Sequence, residues 1–335
     1  MKRYVWGLLL AALLAVTSAC GAKNEAPSAS GTGASASPSS TASASASADA
    51  GANDKHTEYP ITVTDATGQS FTFDKAPERI VSTSPAETEM LFALGLNDQV
   101  VGVSDYDNYP AEATTKPKVG GVTKPNEEAI VGLTPELVIT GISMKEDVVA
   151  KFRELKLSVY KTNAKTLDDV MNGILQIGLI TDRQAQAEAL VDSMKADVQK
   201  VKDAVGGLKP EEKKKVYVEF SPGWTVGKGE FMDEIITLAG GENVAGDTEG
   251  WNQINEETIV QRNPDVILFT QGVKDDKSGK TLEELIRGRS GWDQIQAIKD
   301  NRVIGLDQDL LSRPGPRLTQ GLLAVAKAIY PDLVS

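Results

Sequence analysis

The sequence predicts an α/β protein of two lobes, each built on a parallel sheet, joined by one long backbone helix with a cleft between them. Short β-branched apolar runs alternate with helical segments from residue 59 onward. This pattern is typical of parallel sheets that are covered by helices on both faces. A long helical pattern occupies the middle of the chain, and a similar motif occurs in both halves.

The apolar runs predict four strands before the central helix and three after it. In chain order they are residues 79–82, 100–103, 137–140, 159–160, 216–220, 266–269 and 303–306. Helical segments lie between them, for example residues 87–94 and 147–155. Strands that alternate with helices in this way indicate βαβ units.

The central helix is predicted from apolar residues at spacings of three and four between Ala187 and Val205. Thr181 and Gln184 have the spacing of a capping box at its start, and Gly206-Gly207 is expected to end it. A helix of about 24 residues is about 36 Å long. It is therefore long enough to run along both lobes.

An internal repeat relates the two halves. Residues 127–131 (EEAIV) lead into residues 134–139 (TPELVI), and residues 256–260 (EETIV) lead into residues 263–268 (NPDVIL), at a constant offset of 129 residues. In each half, a helix with two glutamates is followed by a Pro-acid step into a strand. We interpret this as two related lobes, and a cleft between lobes is a favoured place for a ligand.

The first residues have the features of a secretory signal followed by a lipid-attachment site. Residues 1–19 contain Lys2 and Arg3, then an apolar run that is too short to span a bilayer stably. Cys20 follows Thr17-Ser18-Ala19 and is the only cysteine of the chain. This resembles a bacterial lipobox, although Thr17 stands where leucine is usual. We expect Cys20 to be lipidated, for example with palmitate, rather than left as a free thiol, which would anchor the protein to the outer face of the cell membrane.

Composition then divides the chain into segments. Residues 20–57 are expected to form a Ser/Ala-rich tether after the lipidated cysteine, because this segment has too few large apolar residues to fold. We predict an N-terminal lobe at residues 58–165, a helical linker at 166–207 and a C-terminal lobe at 208–335.

Several classes of function are disfavoured by composition. A net charge of −12 argues against nucleic-acid binding. Because His56 is the only histidine in the sequence, a histidine-rich metal site cannot form. We expect His56 to be solvated and without a role. No phosphate-loop pattern surrounds Gly227-Lys228-Gly229, and Ser84 has no nucleophile elbow. Glu87 and Glu89 fall on different helix faces, and Glu89 is expected to be a cap or a surface group. We therefore predict no enzymatic activity.

Longer motifs in order along residues 80–331 resemble the solute-binding proteins of vitamin B12 and ferric-siderophore ABC importers. The motifs are IVSTSP at 80–85, TEMLFALG at 88–95, VVGVSDYDNYP at 100–110, VGG at 119–121, GGEN at 240–243 and RPGPR at 313–317. The resemblance implies a monomer with two lobes and one long helix, in which the cleft barely closes around its ligand. It implies as partners a small-molecule chelate and an ABC importer permease dimer.

In that family, one acidic residue on each lobe docks on the permease. The resemblance places this role on Glu128 and Glu257, which are also mates in the internal repeat. A pseudo-twofold protein on a twofold permease requires one carboxylate at equivalent places on each lobe. The alternative is that both are ordinary first-turn glutamates, which the helix dipole favours.

The same resemblance implies a ligand site. Its members are Tyr106, Trp224, Trp251, Asp309 and Arg313, in which aromatic rings suit the faces of a flat ligand and charged groups suit its rim. Trp292 is expected to lie in the core. Val122 stands where B12-binding members have a tryptophan. We expect a corrinoid as the solute, with a ferric siderophore or haem as alternatives, and no other cofactor or metal. The alternative functions are those of a cell-surface enzyme, a protein that binds a bare metal ion, or a structural lipoprotein.

Overall fold

The computed structural model describes residues 55–334. The predicted signal peptide, Cys20 and residues 21–54 of the predicted tether lie outside this range, as does residue 335. No helix within residues 55–334 is long and apolar enough to cross a membrane.

The N-terminal lobe contains the four predicted strands in one parallel sheet, preceded by an antiparallel hairpin that the sequence analysis did not predict. The strands are β1 Ile61–Thr64 and β2 Ser70–Phe73 in the hairpin, and β3 Ile80–Ser82, β4 Val100–Gly102, β5 Leu137–Thr140 and β6 Val159–Lys161 in the sheet. The sheet has the order β4-β3-β5-β6. The helices of this lobe are α1 Pro85–Ala93, α2 Glu127–Gly132 and α3 Glu146–Glu154.

The C-terminal lobe repeats this topology. Its strands are β7 Lys215–Glu219, β8 Trp224–Val226, β9 Glu242–Asn243, β10 Trp251–Gln253, β11 Val266–Thr270 and β12 Val303–Leu306. Its helices are α6 Phe231–Leu238, α7 Glu256–Arg262, α8 Leu282–Gly288, α9 Gln296–Lys299, α10 Gln308–Ser312 and α11 Leu318–Ile329. The parallel sheet has the order β9-β7-β11-β12, which matches β4-β3-β5-β6 of the first lobe. Strands β8 and β10 form a separate antiparallel pair.

The internal repeat extends to the backbone. Thr134 and Asn263 are repeat mates, and both have left-handed conformations, with φ of 45° and 49°. Asn263 is the C-cap residue of α7, and Thr134 follows the C-cap residue of α2, so each stands between its helix and the Pro-acid step. The acids that follow, Glu136 and Asp265, accept hydrogen bonds from backbone N–H groups of Glu78 at 2.6 Å and Lys215 at 2.8 Å. The two lobes are therefore related in detail and not only in outline.

Two helices connect the lobes. They are α4 Leu167–Ile180 and α5 Gln184–Val205, and α5 is the long helix that the sequence predicts. Its end at Gly206 is confirmed. The predicted capping box at its start is wrong, because the Thr181 hydroxyl donates instead to the Ile177 carbonyl and α5 begins without a side-chain cap. Thr181 thus ends the preceding helix.

The hydrophobic core is continuous through both lobes and the long helix. Ile80 and Leu137 of the first sheet, Val216 and Val266 of the second, and Val191 of α5 belong to one buried cluster. The prediction that Trp292 lies in the core is confirmed. Its ring is fully buried and packs edge-on against Tyr217 in a second cluster.

The first described residues contact the turn between α4 and α5. Nδ1 of His56 lies 3.1 Å from Oδ2 of Asp182, and the backbone N–H of Thr57 donates to Oδ1 of the same carboxylate at 2.6 Å. The His56 side chain is 68% exposed, which agrees with the expectation of a solvated residue, and it contacts the protein through Asp182.

Candidate ligand-binding site

A cleft of about 810 Å³ opens between the two lobes. Its walls are the loops and helix starts that follow β3, β4 and β5 in one lobe and β7 and β12 in the other. In parallel α/β sheets, ligands bind outside the carboxyl ends of the strands. The position of the cleft therefore follows from the fold of each lobe.

Four of the five predicted ligand residues line this cleft: Tyr106, Trp251, Asp309 and Arg313. Tyr106 lies on the loop after β4 and is 64% exposed, while Trp251 starts β10 and is 38% exposed. The Trp251 ring is held edge-on by Phe220 at 4.9 Å and Phe231 at 5.8 Å between ring centroids. One aromatic face from each lobe is thus available to a flat ligand.

Trp224, the fifth predicted residue, is not in the lining of the cleft. It starts β8 and pairs with Gln253, whereas Trp251 pairs with Val226 at the other end of the same two strands. The side chain is 37% exposed. The strand register therefore separates the two tryptophans along one antiparallel pair.

Asp309 and Arg313 take part in a network that joins the lobes. Arg313 donates to Oε1 of Glu89 on α1 at 2.8 Å and to Oδ1 of Asn108 at 2.8 Å. Asp309 forms an ion pair with Arg313 at 2.9 Å and accepts a hydrogen bond from the Asn108 amide at 2.9 Å. The charged groups that we expected at the ligand rim are thus held in place by partners across the cleft.

Glu89 is the centre of this network and corrects the expectation of a cap or surface group. Its side chain is 2% exposed. Besides Arg313, it accepts two hydrogen bonds from Arg317, at 2.8 and 2.7 Å. The hydrogen bonds that Arg317 donates to this carboxylate raise the pKa of Arg317. Its guanidinium also lies 3.9 Å from the centroid of the Tyr109 ring.

Two further carboxyl groups line the cleft, and the sequence analysis did not assign either to the site. Glu87 lies in the first turn of α1, where burial raises its pKa and the nearby hydroxyls of Ser84 and Thr162 offset this only in part. Glu230 precedes α6 and pairs with Lys165 at 3.2 Å. Their positions at the starts of helices could have assigned both to the site from the sequence. A helix that begins near the carboxyl end of a strand has its first turn close to the ligand site.

The repeat also relates the cleft residues. Val122 lines the cleft from the first lobe and is the repeat mate of Trp251, at the same offset of 129 residues. Each stands six residues before a predicted docking glutamate, Glu128 or Glu257. The offset of the repeat therefore extends to the cleft lining, but it places an aliphatic side chain in one lobe where the other has an aromatic ring.

Glu128 and Glu257 occupy equivalent places on the surface. Each is the second residue of a short helix whose N-cap asparagine, Asn126 or Asn255, accepts a hydrogen bond from the third helical N–H. The preceding glutamates form ion pairs within their own lobes, Glu127 with Lys151 and Glu256 with Arg289.

Both Glu128 and Glu257 are exposed, and neither makes an ion pair or hydrogen bond through its side chain with any residue in the described part of the chain. Their carboxylates are therefore available to an external basic partner. The alternative, that both are ordinary glutamates favoured by the helix dipole, explains their position in the first turn. It does not explain why the second glutamate of the helix is unpaired in both lobes.

The chain belongs to the periplasmic binding protein family, which matches residues 80–310. Members of this family are the solute-binding, non-enzymatic components of ABC importers, so a small-molecule ligand and a permease are its partners. No cluster of three or more potential metal ligands occurs between residues 55 and 334.

Individual relatives are similar over most of their length. The chain is 37% identical over 288 residues to the uncharacterised ABC transporter substrate-binding lipoprotein YvrC of Bacillus subtilis, covering 84% of this chain and 89% of that one. It is 30% identical over 283 residues to a cobalamin-binding protein of Halobacterium salinarum, covering 83% and 76%. A solved structure of a possible iron-binding protein from Staphylococcus epidermidis is 32% identical, with a TM-score of 0.65, and covers 76% of this chain and all of that one.

Proposed function

We propose that this protein captures a corrinoid, vitamin B12 or a close analogue, and delivers it to an ABC importer. The observation that carries the proposal is the cleft, which presents one exposed aromatic ring from each lobe, Tyr106 and Trp251, beside the polar pair Asp309 and Arg313. Aromatic faces suit a flat macrocycle, and the polar groups suit its amide rim. The similarity to a cobalamin-binding protein supports the same ligand class.

Trp251 is the principal contact in this proposal, and Trp224 is a peripheral one. Trp251 lies in the cleft with its ring fixed by two phenylalanines, whereas Trp224 lies outside the lining. Truncation of a well-packed aromatic contact costs about 2 kcal/mol or more, which is about 30-fold in affinity. We expect Trp251→Ala to weaken binding by this amount and Trp224→Ala by less than about threefold.

A ferric siderophore or haem is the second candidate. Val122 favours it, because this side chain gives a corrin ring no stacking partner at that position of the first lobe. The similarity to a possible iron-binding protein favours the same alternative.

The experiment that separates these candidates is isothermal titration calorimetry of the purified protein with cyanocobalamin, haemin and a panel of ferric siderophores. The proposal predicts saturable one-to-one binding of cyanocobalamin that weakens in Trp251→Ala. Binding of a ferric chelate with no heat from cyanocobalamin would replace the corrinoid by iron uptake and leave the importer role in place.

We further propose that Glu128 and Glu257 dock on the two permease subunits. Their support is their equivalent place on each lobe, their exposure and their lack of partners within residues 55–334. Glu128→Arg with Glu257→Arg is expected to abolish uptake of labelled cyanocobalamin by cells and leave its affinity unchanged. Glu211→Arg, a reversal at another exposed glutamate, is the control. Normal uptake by the double variant would remove this role.

The remaining elements of the proposal concern residues before the folded part. We propose cleavage after residue 19, lipidation of Cys20 and attachment of a monomer to the outer face of the cell membrane through a tether. The tether was predicted at residues 20–57, but its last residues, 55–57, contact the folded part, and Thr57 is buried, so the proposed tether ends before them. The name of the Bacillus subtilis relative, a lipoprotein, supports this. Cys20→Ser is expected to release the protein into the medium, which immunoblotting of membrane and medium fractions would measure.

A further inference from the structure

The cleft has one buried carboxyl group in each of its two walls. Glu87, in the first turn of α1, is 3% exposed, and Glu230, which precedes α6, is 6% exposed. Both residues line the cleft, one from each lobe. Buried carboxyl groups are rare unless their oxygens are hydrogen bonded or paired.

Each carboxyl group has a partner for one oxygen only. The Thr162 hydroxyl donates to Oε1 of Glu87 at 2.6 Å, and Nζ of Lys165 donates to Oε1 of Glu230 at 3.2 Å. Oε2 of both residues is buried and has no hydrogen-bond partner in the described part of the chain. A buried oxygen without a donor is unfavourable, so each position lacks a hydrogen-bond donor that a ligand is able to supply.

The cations of the cleft are already engaged. Lys165 pairs with Glu230, and Arg313 pairs with Glu89 and Asp309. No other lysine or arginine lines the cleft in the described chain. A ligand with carboxylates at its edge would therefore meet Glu87, Glu230 and Asp309 without an unpaired cation to offset them.

We propose that Glu87 and Glu230 determine ligand specificity: their Oε2 atoms accept hydrogen bonds from carboxamide N–H groups at the rim of the ligand. Binding includes rotation of each side chain, which brings Oε2 to the cleft surface. This inference rests on the proposed function, because the edge of a corrin ring carries primary carboxamides, whereas haem carries two carboxylates. A site that is built to hydrogen bond a donor discriminates strongly against an analogue that lacks it.

The test combines a change in the ligand with a change in the protein. The ligands are cyanocobalamin and its monocarboxylic acids, in each of which one peripheral carboxamide has become a carboxylate. The proteins are the wild type, Glu87→Gln and Glu230→Gln. Glutamine keeps the shape of glutamate but has an N–H donor that is able to meet a carboxylate.

For the wild type, we expect at least one monocarboxylic acid to bind about 10- to 100-fold more weakly than cyanocobalamin, the range for a lost hydrogen bond to a charged group. That loss is expected to fall to about threefold or less in one glutamine variant and to persist in the other. Glu78→Gln is the control, since Glu78 is exposed and precedes β3 at the end of the strand away from the cleft. It should show the same ratios as the wild type.

Two results would overturn the proposal in distinguishable ways. If cyanocobalamin binds the wild type but its affinity relative to the monocarboxylic acids is the same in all four proteins, the specificity role is wrong and the proposed function stands. If the wild type binds haemin and not cyanocobalamin, the proposed function fails, and the carboxamide assignment fails with it. Thermal unfolding of each variant establishes that it is folded.

Discussion

Glu89→Gln removes one charge from the network that joins the lobes. The carboxylate is 2% exposed and accepts three hydrogen bonds, one from Arg313 at 2.8 Å and two from Arg317 at 2.8 and 2.7 Å. Glutamine fits the same space but has only one acceptor oxygen, and its amide N–H groups would face a guanidinium. The variant therefore leaves both arginines without the carboxylate that faces them.

The expected loss of stability is worked from these contacts. Removing one partner of a buried ion pair costs about 3 to 5 kcal/mol. The lower end applies here, because the side chains of Arg313 and Arg317 are 13% and 17% exposed and Arg313 keeps its contact with Asp309. We expect the free energy of unfolding to fall by about 3 kcal/mol, which in a domain of this size lowers the Tm by about 6 °C.

The assay is urea unfolding followed by circular dichroism, with thermal unfolding in parallel. Glu283→Gln is the matched control, because Glu283 also pairs with an arginine, Arg287 at 2.9 Å, but on an exposed helix surface. Such surface pairs contribute less than about 1 kcal/mol. If Glu89→Gln unfolds at the same urea concentration as the control, the network does not hold the lobes together and the reasoning is wrong.

Three further predictions concern the cleft and the repeat. Burial raises the pKa of Glu87 in the folded state, so ionisation of this carboxyl group favours unfolding. In urea unfolding at pH 7, Glu87→Gln should therefore be more stable than the wild type. The difference should vanish below pH ~4, where Glu87 is protonated in both the folded and the unfolded wild type. Thr134→Gly should raise the Tm by about 2 °C, because glycine adopts the left-handed conformation at this position without the strain of a β-branched residue. Asn263→Gly should not raise the Tm, because it removes a side chain that accepts a hydrogen bond from the backbone N–H of Gln296 at 2.7 Å. Val122→Trp should tighten cyanocobalamin binding about threefold or more in calorimetry, since it restores the repeat mate of Trp251; unchanged affinity would show that this position does not face the ring.

Much of the fold was predictable because buried parallel strands have a strong local signal. The bounds of β5 and β12 match the predicted 137–140 and 303–306, since apolar β-branched runs between turn residues leave few alternatives. The hairpin β1–β2 was missed because its strands are short and half exposed. The Thr181 capping box was wrong because the same spacing ends one helix here instead of starting the next.

The site was less predictable because its key contacts join residues that are far apart in sequence. Glu89 and Arg313 are 224 residues apart, and no local pattern in the sequence marks Glu89 as buried. Trp224 and Trp251 have similar loop contexts in the sequence, and only the register of β8 with β10 separates them. The docking glutamates were proposed from the family resemblance, and the internal repeat agrees with it because it marks equivalent positions without any knowledge of contacts.

The most direct measurement of the central claim is a crystal structure of the protein grown with cyanocobalamin, with anomalous data collected at the cobalt absorption edge. The account predicts one cobalt per chain, inside the cleft, with the corrin ring against Trp251 and near Tyr106. A cobalt peak outside the cleft would contradict it. So would crystals that have no cobalt peak and contain haem or a ferric chelate in the cleft.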